Sequence, residues 1–328
     1  MAASPKLPMQ SGSVAERYHV YHAEAQILKG ELEHPIKQPI EDYGRVVLEK
    51  TRRESLITQS VGETNIEGLI SFKRGHTRVI GTQVKQKVDI FGNDHAGWVT
   101  LSTAVIEGYN VLDIITADRV VAQVSTEHPM KDGDVPKVSF IGTRFENLRV
   151  GGYEVEVELD LSICGDKPAG DLPYLQDKGF LDRVKRQVES IGKTGDIPES
   201  LERRYGAEIK YIDELKGRAK KGANGDRNGY SKLRCSLVKS IGPIPGVKTF
   251  GNLIFIPNFG TVALAELEVG INSGHSDFPH AGSNAPRSQP SDSNYFTLNM
   301  FDMHLGCPLG GKTKGPIVNA NGQTGPGK

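Results

Sequence analysis

The sequence predicts a mainly β protein of the α+β class, an antiparallel β sandwich or barrel that carries a two-helix insertion. Segments with strand-like composition and frequent turns run from about residue 18 to 166 and return after residue 231. Between about residues 172 and 222 a helical period replaces them. Strands on both sides of one helical stretch suggest that the last strands complete the sheet begun by the first ones.

The length, net charge and hydropathy of the chain limit the kinds of partner that we expect. The chain has 328 residues, enough for one large core or two modest ones, and 40 basic side chains balance 40 acidic ones. Because the formal net charge is zero, no global basic field attracts nucleic acid, and we expect no nucleic-acid partner. No apolar run reaches the ~18 residues of a membrane span, so we expect no membrane association.

The ends of the chain differ from its middle. Residues 1–17 lack the apolar region of a secretory signal and are predicted to be a disordered leader. Residues 18–306 are predicted to be a single β-rich domain, and 307–328 a flexible tail rich in Gly and Pro. Two β domains divided near residue 170 are the alternative. The cysteines, Cys164, Cys235 and Cys307, are few, odd in number and widely spaced, which favours a reducing, cytoplasmic location.

The clearest strand pattern is a hairpin. The segments "KVSFIGTRFENLRV" and "YEVEVELDLSI" are joined by Gly151 and Gly152, which can adopt the positive φ of a tight turn. Apolar and acidic residues alternate along the second segment, so a strand with one buried and one polar face is expected there.

The helical stretch contains two predicted helices. Phe180, Val184, Val188 and Ile191 recur at helical spacing, and Gly192 ends the pattern. A second helix is predicted from about Pro198, with an interruption near Gly206.

One segment has the spacing of a nucleotide-binding loop. Residues 306–313, "GCPLGGKT", fit G-x-x-x-x-G-K-T, which holds phosphate at the N-terminus of a helix. The following "KGP" opposes a helix, so we interpret the match as coincidental and predict no nucleotide cofactor.

The histidines do not predict a metal site. His19 and His22 are three residues apart, but on the strand expected there they point to opposite faces. His275 and His280 lie in a long polar segment near Asp277, where a structural or solvated role is the more common one. None of these spacings is typical of zinc or iron ligands.

A third group suggests acid–base chemistry. Asp118 and Arg119 precede a short apolar strand, and Glu127 and His128 follow it, so a carboxylate could tune the histidine. The structural alternative places Asp118 in a turn and Glu127 and His128 at a strand end. Glu107 lies in an apolar run, and if buried it needs a basic partner such as Arg119 or Arg144.

Opposite charge patches suggest self-association. Glu154, Glu156 and Glu158 follow the polar face of the predicted hairpin, while Lys220 and Lys221 belong to a basic segment. Complementary patches on one neutral chain can steer copies together, so we expect a homo-oligomer. In the alternative, Arg144 and Arg149 neutralise the acidic face and the basic segment is solvated.

The run "GWVTLSTAVIEGYNVLDIITADRVVAQVSTEHP", followed by "VPKVSFIGTRFENLRVGGYEVEVELDLSICG", resembles a group of uncharacterised bacterial proteins of similar length. The resemblance extends to the helical middle and to "LGC" near the end. It implies one co-linear folding unit and no particular activity.

Two function classes follow from these patterns. The first is a non-enzymatic binding or self-assembling protein whose small-molecule ligand is unknown. The second is an enzyme, of hydrolase or isomerase type, whose acid/base site (His128, Glu127, Glu107 and Asp118) is assembled in the mouth of a β-barrel. The sequence contains no local catalytic signature, which favours the first class.

Overall fold

The computed structural model describes residues 17–34, 37–85, 96–130, 135–169, 172–192, 197–220, 231–272, 293–306 and 310–325. These residues form two large antiparallel sheets, a small two-stranded sheet and two α-helices. The predicted α+β, mainly β class is confirmed, and because the sheets are open, the sandwich is the alternative that fits.

The strands are numbered along the chain. They are β1 (Tyr18–Gln26), β2 (Leu28–Leu32), β3 (Gln38–Tyr43), β4 (Val46–Thr51), β5 (Ser55–Val61), β6 (Thr64–Ile66), β7 (Ile70–Phe72), β8 (Arg74–Val84), β9 (Gly97–Val111), β10 (Ile115–Pro129), β11 (Lys137–Ser139), β12 (Arg144–Glu146), β13 (Arg149–Val150), β14 (Tyr153–Glu154), β15 (Val157–Leu159), β16 (Ser231–Ser236), β17 (Val238–Ile241), β18 (Lys248–Phe250), β19 (Leu253–Ile256), β20 (Gly260–Asn272), β21 (Ser293–Leu305), β22 (Gly311–Lys314), β23 (Ile317–Ala320) and β24 (Gln323–Gly325).

The larger sheet has twelve strands and combines both ends of the chain. Its main path is β18–β19–β20–β21–β22–β2–β3, β16 pairs with β20, and β1 pairs with β4, β23 and β24. The second sheet has ten strands, and its main path is β14–β13–β10–β9–β7–β6. In addition, β8 pairs with β9, and β5 pairs with β8. The two-stranded sheet consists of β15 and β17.

Aromatic rings fill the space between the two large sheets. Tyr109 on β9 stacks on Phe301 of β21 with ring centroids 5.4 Å apart, and both side chains are fully buried. Phe145 on β12 contacts the same Phe301 ring. Since fully burying one such side chain stabilises a fold by about 1.5–3 kcal/mol, this layer holds the two sheets together.

Helix α1 spans Lys178–Ile191 as the spacing predicts. The side chain of Asp177 caps it by accepting a hydrogen bond from the backbone N–H of Phe180 at 2.6 Å, and the four predicted apolar residues are buried. The helix ends at Gly192. A single 3-10 turn, Tyr174–Gln176, precedes it.

Helix α2 spans Glu199–Lys220 without a break, so the predicted interruption near Gly206 is wrong. A glycine inside a helix costs only about 1 kcal/mol relative to alanine, and the buried Tyr205, Ile212 and Leu215 hold the helix against the core. The ion pair between Lys185 of α1 and Asp213, 2.7 Å apart, connects the two helices. In the part of the chain the structure describes, no helix is long and apolar enough to span a bilayer.

The predicted hairpin forms at its turn but not along its second arm. Gly151 and Gly152 have φ values of 58° and 83° and join β13 to β14. The predicted strand of residues 153–163 is wrong, because the chain leaves the sheet after Glu154 and Val157–Leu159 pairs with β17 instead. Alternation marks a segment as able to form a strand, but it does not specify the partner strand.

The predicted flexible tail contains three strands, which corrects the expectation for residues 310–325. β23 pairs with both β1 and β21, and β24 pairs with β1. Gly315 has a φ of 149° where a Cβ atom would overlap the carbonyl oxygen of Ile27, so glycine here permits close strand packing. Residues 307–309 and 326–328, the leader except Arg17, and residues 273–292 of the long polar segment lie outside the described residues.

Candidate functional site

The four residues of the predicted acid/base site lie at two ends of one hairpin. The turn between β9 and β10 is at Leu112–Ile114, so Asp118 lies within β10 and not in the turn. Glu107 is opposite Arg119 near this turn, whereas Glu127 and His128 are at the far end of β10. Residues 118 and 128 on one strand are about 33 Å apart at ~3.3 Å per residue. The structure therefore does not bring these four residues into one site.

The pair near the turn is engaged in structural contacts. Glu107 forms ion pairs with Arg74 and with Arg119, whose Nε is 3.7 Å from Glu107 Oε1. Arg119 was one of the two partners that the sequence predicted for Glu107. Asp118 Oδ2 accepts a hydrogen bond from Asn147 Nδ2 at 2.6 Å. These contacts satisfy both carboxylates on the surface of the ten-stranded sheet.

His128 is completely buried in the sandwich, and Glu127 is half-buried on the other face of the same strand. The His128 ring lies 4.6 Å from that of His19 on β1, and His19 stacks on Trp98. Burial lowers the pKa of His19 to about 3, and burial together with His19 lowers the pKa of His128 well below the usual 6.5. Both rings are neutral at pH 7. No described residue forms a hydrogen bond of good geometry with either nitrogen of His128.

The other histidines considered in the sequence are His22, His275 and His280. His22 is half-buried on β1, where burial and Lys50 lower its pKa, and His275 and His280 lie outside the described residues. Across the described part of the chain, no group of three or more His, Cys, Asp or Glu side chains is arranged to hold a metal ion.

The residues predicted to mediate self-association are exposed where they are described. Glu154, Glu156 and Glu158 are all on the surface. Glu158 binds Lys239 Nζ at 2.6 Å and Ser240 Oγ at 3.1 Å, and these hydrogen bonds lower its pKa. Glu154 is opposite Arg149 in the β13–β14 pair. Lys220 ends α2, but its side chain and all of Lys221 lie outside the described residues.

The segment with phosphate-loop spacing does not lead into a helix. Lys312 and Thr313 lie on β22, where they face His304 and Met303 of β21 across an antiparallel ladder. A phosphate loop needs the free backbone N–H groups of a helix N-terminus at this position.

A concave site lies between the two helices and the twelve-stranded sheet. We call it the helix–sheet cleft. It has a volume of about 360 Å³, within the range of small-molecule sites. Its walls come from α1, α2, β16, β17, β19, β20 and β21, and its polar lining includes Arg204, Tyr205, Glu208, Arg234, Glu266, Asp302 and His304.

Alternation along the strands places the charged residues on the face of the twelve-stranded sheet that lines the helix–sheet cleft. On β20, Glu266 and Glu268 alternate with the buried Leu267 and Val269. On β21, Asp302 follows Phe301, which packs between the two sheets. The polar face of the twelve-stranded sheet is thus turned away from the ten-stranded sheet and toward α2.

A network of ion pairs crosses the cleft. Arg204 on α2 has its Nε 3.4 Å from Glu208 Oε1 and its Nη2 4.0 Å from Glu266 Oε1. Arg234 on β16 has its Nε 3.9 Å from the same Glu266 oxygen and 3.2 Å from Glu268 Oε2. Because several of these separations exceed hydrogen-bond length, the guanidinium groups retain donors for a further acceptor.

Asp302 is held at the sheet side of the cleft. Its Oδ2 is 2.6 Å from Lys314 Nζ, and its Oδ1 is 3.6 Å from His304 Nε2. The residue is only 8% exposed, yet Oδ1 is a buried atom without a hydrogen bond from any described residue. A buried acceptor left unpaired costs about 1–3 kcal/mol, so a group that hydrogen-bonds to Oδ1 would offset that cost.

Two further groups on α2 are affected by burial. The hydroxyl of Tyr205 is buried and has no hydrogen bond within the described ranges, and burial raises its pKa. Burial also raises the pKa of Glu208, against the opposing influence of Arg204. Among the described residues, the side chains that line the cleft therefore include two polar atoms without a hydrogen bond and one carboxyl that holds its proton more firmly than usual.

The sequence patterns did not identify this cleft. Its charged residues Arg204, Glu208, Arg234, Glu266 and Asp302 come from α2, β16, β20 and β21, about a hundred residues apart, so no local spacing marks them. One signal was present: "SKLRCS" places Lys232 and Arg234 at alternate positions, and "AELEV" does the same for Glu266 and Glu268. Paired strands with opposite charges at the same period predict a cross-strand ion network.

A family model described as "Domain of unknown function (DUF8256)" matches residues 19–270. The match includes both helices, the ten-stranded sheet and the strands β16 and β20 that line the cleft. No curated protein and no solved structure shows significant similarity to the chain. Because the match extends over most of its length, the chain belongs to the DUF8256 family.

Proposed function

We propose that the protein is a non-enzymatic binding protein that takes a small polar ligand into the helix–sheet cleft. The observation that carries the proposal is that two residues lining one cavity, Asp302 and Tyr205, each have a buried polar atom that receives no hydrogen bond from the described residues. Binding sites commonly combine a concave, partly apolar wall with a few such groups.

The charges of the lining indicate the chemistry of the ligand. Asp302 and Glu266 accept hydrogen bonds, while Arg204 and Arg234 donate them. Apolar surface comes from residues such as Phe255 and Leu253. A ligand with several hydroxyl groups, or with hydroxyl and amine groups together, supplies both donors and acceptors at close spacing. The cleft volume limits it to a small molecule.

Native mass spectrometry and calorimetric titration test the proposal. The purified protein is titrated with a neutral hexose, a polyol, a polyamine and an amino acid as representative probes. We expect one class to bind, and we expect Asp302→Asn and Tyr205→Phe to weaken it by about tenfold, since the first removes the charge of an acceptor and the second removes a hydroxyl group. Asp166→Asn, at an exposed position outside the cleft, is the matched control. Equal affinity in Asp302→Asn and in the control would contradict the proposal.

The second candidate function is acid–base catalysis, of hydrolase or isomerase type, in the same cleft. It is favoured by Glu208, whose pKa is raised by burial, in a cavity that also holds Asp302 beside Lys314. Two carboxyl groups in unlike environments are a common acid/base arrangement. If the protein is an enzyme, Glu208→Gln will retain the substrate that the wild type converts, so the bound masses recovered from the two proteins will differ. Identical masses favour the binding protein.

The expectations about cellular location, origin and self-association remain proposals. Cys164 and Cys235 are free and buried, which supports a reducing, cytoplasmic location. A bacterial origin rests on the resemblance described above. Self-association through the acidic residues predicts that Glu156→Lys combined with Glu158→Lys changes the oligomer mass, although Glu158 is already neutralised by Lys239.

A further inference from the structure

Strand β5 forms an open edge of the ten-stranded sheet. Among the described residues it pairs with β8 alone, in antiparallel register from Ser55 opposite Gly81 to Val61 opposite Gly75. Alternate residues of an edge strand direct their backbone N–H and C=O groups outward. Its sequence, "SLITQSV", contains no charge and no proline, and Leu56 is 60% exposed. Natural edge strands usually carry a charge, a proline or a bulge that prevents pairing, so this edge is suited to receive another strand.

We propose that β5 pairs with β5 of a second copy of this chain, antiparallel and about a two-fold axis at Thr58. In this register Thr58 faces its own counterpart, and Ser55 faces Val61. Just beyond the strand, Arg53 of each copy faces Glu63 of the other. The strand that pairs with the open edge is thus β5 of the second copy. Arg53 and Glu63 of one copy are complementary in charge to Glu63 and Arg53 of the other.

Arg53 and Glu63 are two of the charged residues beside β5, and in this register the neighbouring Glu54 faces the uncharged Gly62. Arg53 and Glu63 are both exposed, and neither forms an ion pair within the ranges that the structure describes. A parallel arrangement would place like charges together at both ends. An antiparallel arrangement shifted by two residues would separate each arginine from its glutamate. The charges therefore favour one direction and one register.

The proposed contact closes on itself. A two-fold interface uses the same surface on both copies, so it produces a dimer and leaves no further open β5 edge. The two ten-stranded sheets become continuous across the interface. The helix–sheet cleft lies on the other sheet, so this proposal does not depend on the proposed ligand.

Native mass spectrometry together with light scattering tests the dimer. We expect a mass of twice the 35.7 kDa chain. Glu63→Arg or Arg53→Glu places like charges opposite each other at both ends, and each should raise the dissociation constant by about tenfold or more. The double variant Arg53→Glu with Glu63→Arg should restore the dimer. Glu41→Arg, an equal change of charge at an exposed position on β3, should have no effect.

Cysteine cross-linking tests the register. Thr58→Cys places two thiols directly opposite each other, with Cβ atoms about 5 Å apart, so oxidation should give a covalent dimer. Leu56→Cys, two residues away on the same face, separates them by about 14 Å and should give none. A monomeric wild type, a dimer indifferent to all three charge variants, or cross-linking at position 56 in preference to 58 would each overturn the proposal.

Discussion

The buried pair of His19 and His128 predicts that the protein loses stability between pH 7 and pH 5. Both rings are almost completely buried between the sheets, and burial is the main cause of their lowered pKa values. For His128 the effects of His19, Lys167 and Arg17 act in the same direction, while the nearby backbone of Gly322 opposes them. With a pKa of about 3, His19 therefore stays neutral in the folded protein at pH 5, and the pKa of His128 is lowered in the same direction.

The sign and size of the effect follow from proton linkage. In the unfolded chain each histidine has its usual pKa of 6.5 and is almost fully protonated at pH 5. The unfolded state then binds more protons than the folded state, so stability rises with pH and falls as the pH drops below 6.5. Integration from pH 7 to pH 5 gives a loss of about 2 kcal/mol for His19, and the lowered pKa of His128 adds a loss of the same sign. A loss of this size is a large part of a typical folding free energy of about 5–15 kcal/mol.

Urea unfolding at pH 7 and pH 5 measures this loss. We expect the difference in unfolding free energy between the two pH values to shrink by about 2 kcal/mol in His19→Gln and to shrink also in His128→Gln. His34→Gln, at an exposed position, should leave the difference unchanged. If His128→Gln and His19→Gln both show the full pH dependence of the wild type, the reasoning from buried neutral histidines is refuted.

Three further predictions concern stability and are measured by chemical or thermal unfolding. Gly322→Ala should destabilise by about 1–3 kcal/mol, because its Cβ would lie 2.6 Å from the ring of His19; an unchanged midpoint would show that the histidine layer is loosely packed. Gly206→Ala should stabilise by about 0.5–1 kcal/mol, since no atom lies within 4 Å of the added Cβ in the interior of α2, and a lower midpoint would argue against the continuous helix. Asp177→Ala should destabilise by about 1 kcal/mol through loss of the α1 cap, with the conservative Asp177→Asn retaining most of the stability.

Much of the secondary structure could be predicted because its causes are local. Helix α1 follows from apolar residues at helical spacing and a glycine at its end, and the β13–β14 turn follows from two adjacent glycines. The errors arose where a distant partner decides the conformation. The alternating segment that starts at Tyr153 divides between two sheets, because β17 provides a competing partner after Glu154. The Gly/Pro-rich end of the chain forms strands because β1 and β21 supply the hydrogen bonds.

In the candidate site, too, local patterns could be read from the sequence, whereas contacts between distant residues could not. Local patterns directed attention to Glu127 and His128, which are adjacent in sequence but point to opposite faces of one strand. The cleft instead brings Arg204, Glu208 and Asp302 together from elements about a hundred residues apart.

The sequence by itself determined the fold class, the two helices and the segments able to form strands, because hydrophobic period and turn residues act over a few neighbours. Only the tertiary structure decided which strands pair, which polar faces turn toward each other and which histidines become buried. Those outcomes depend on contacts such as the pairing of Ala23 with Ala320 between β1 and β23. These residues are far apart along the chain, so no local sequence pattern predicts that they pair. The ligand cleft and the open β5 edge are both consequences of that pairing.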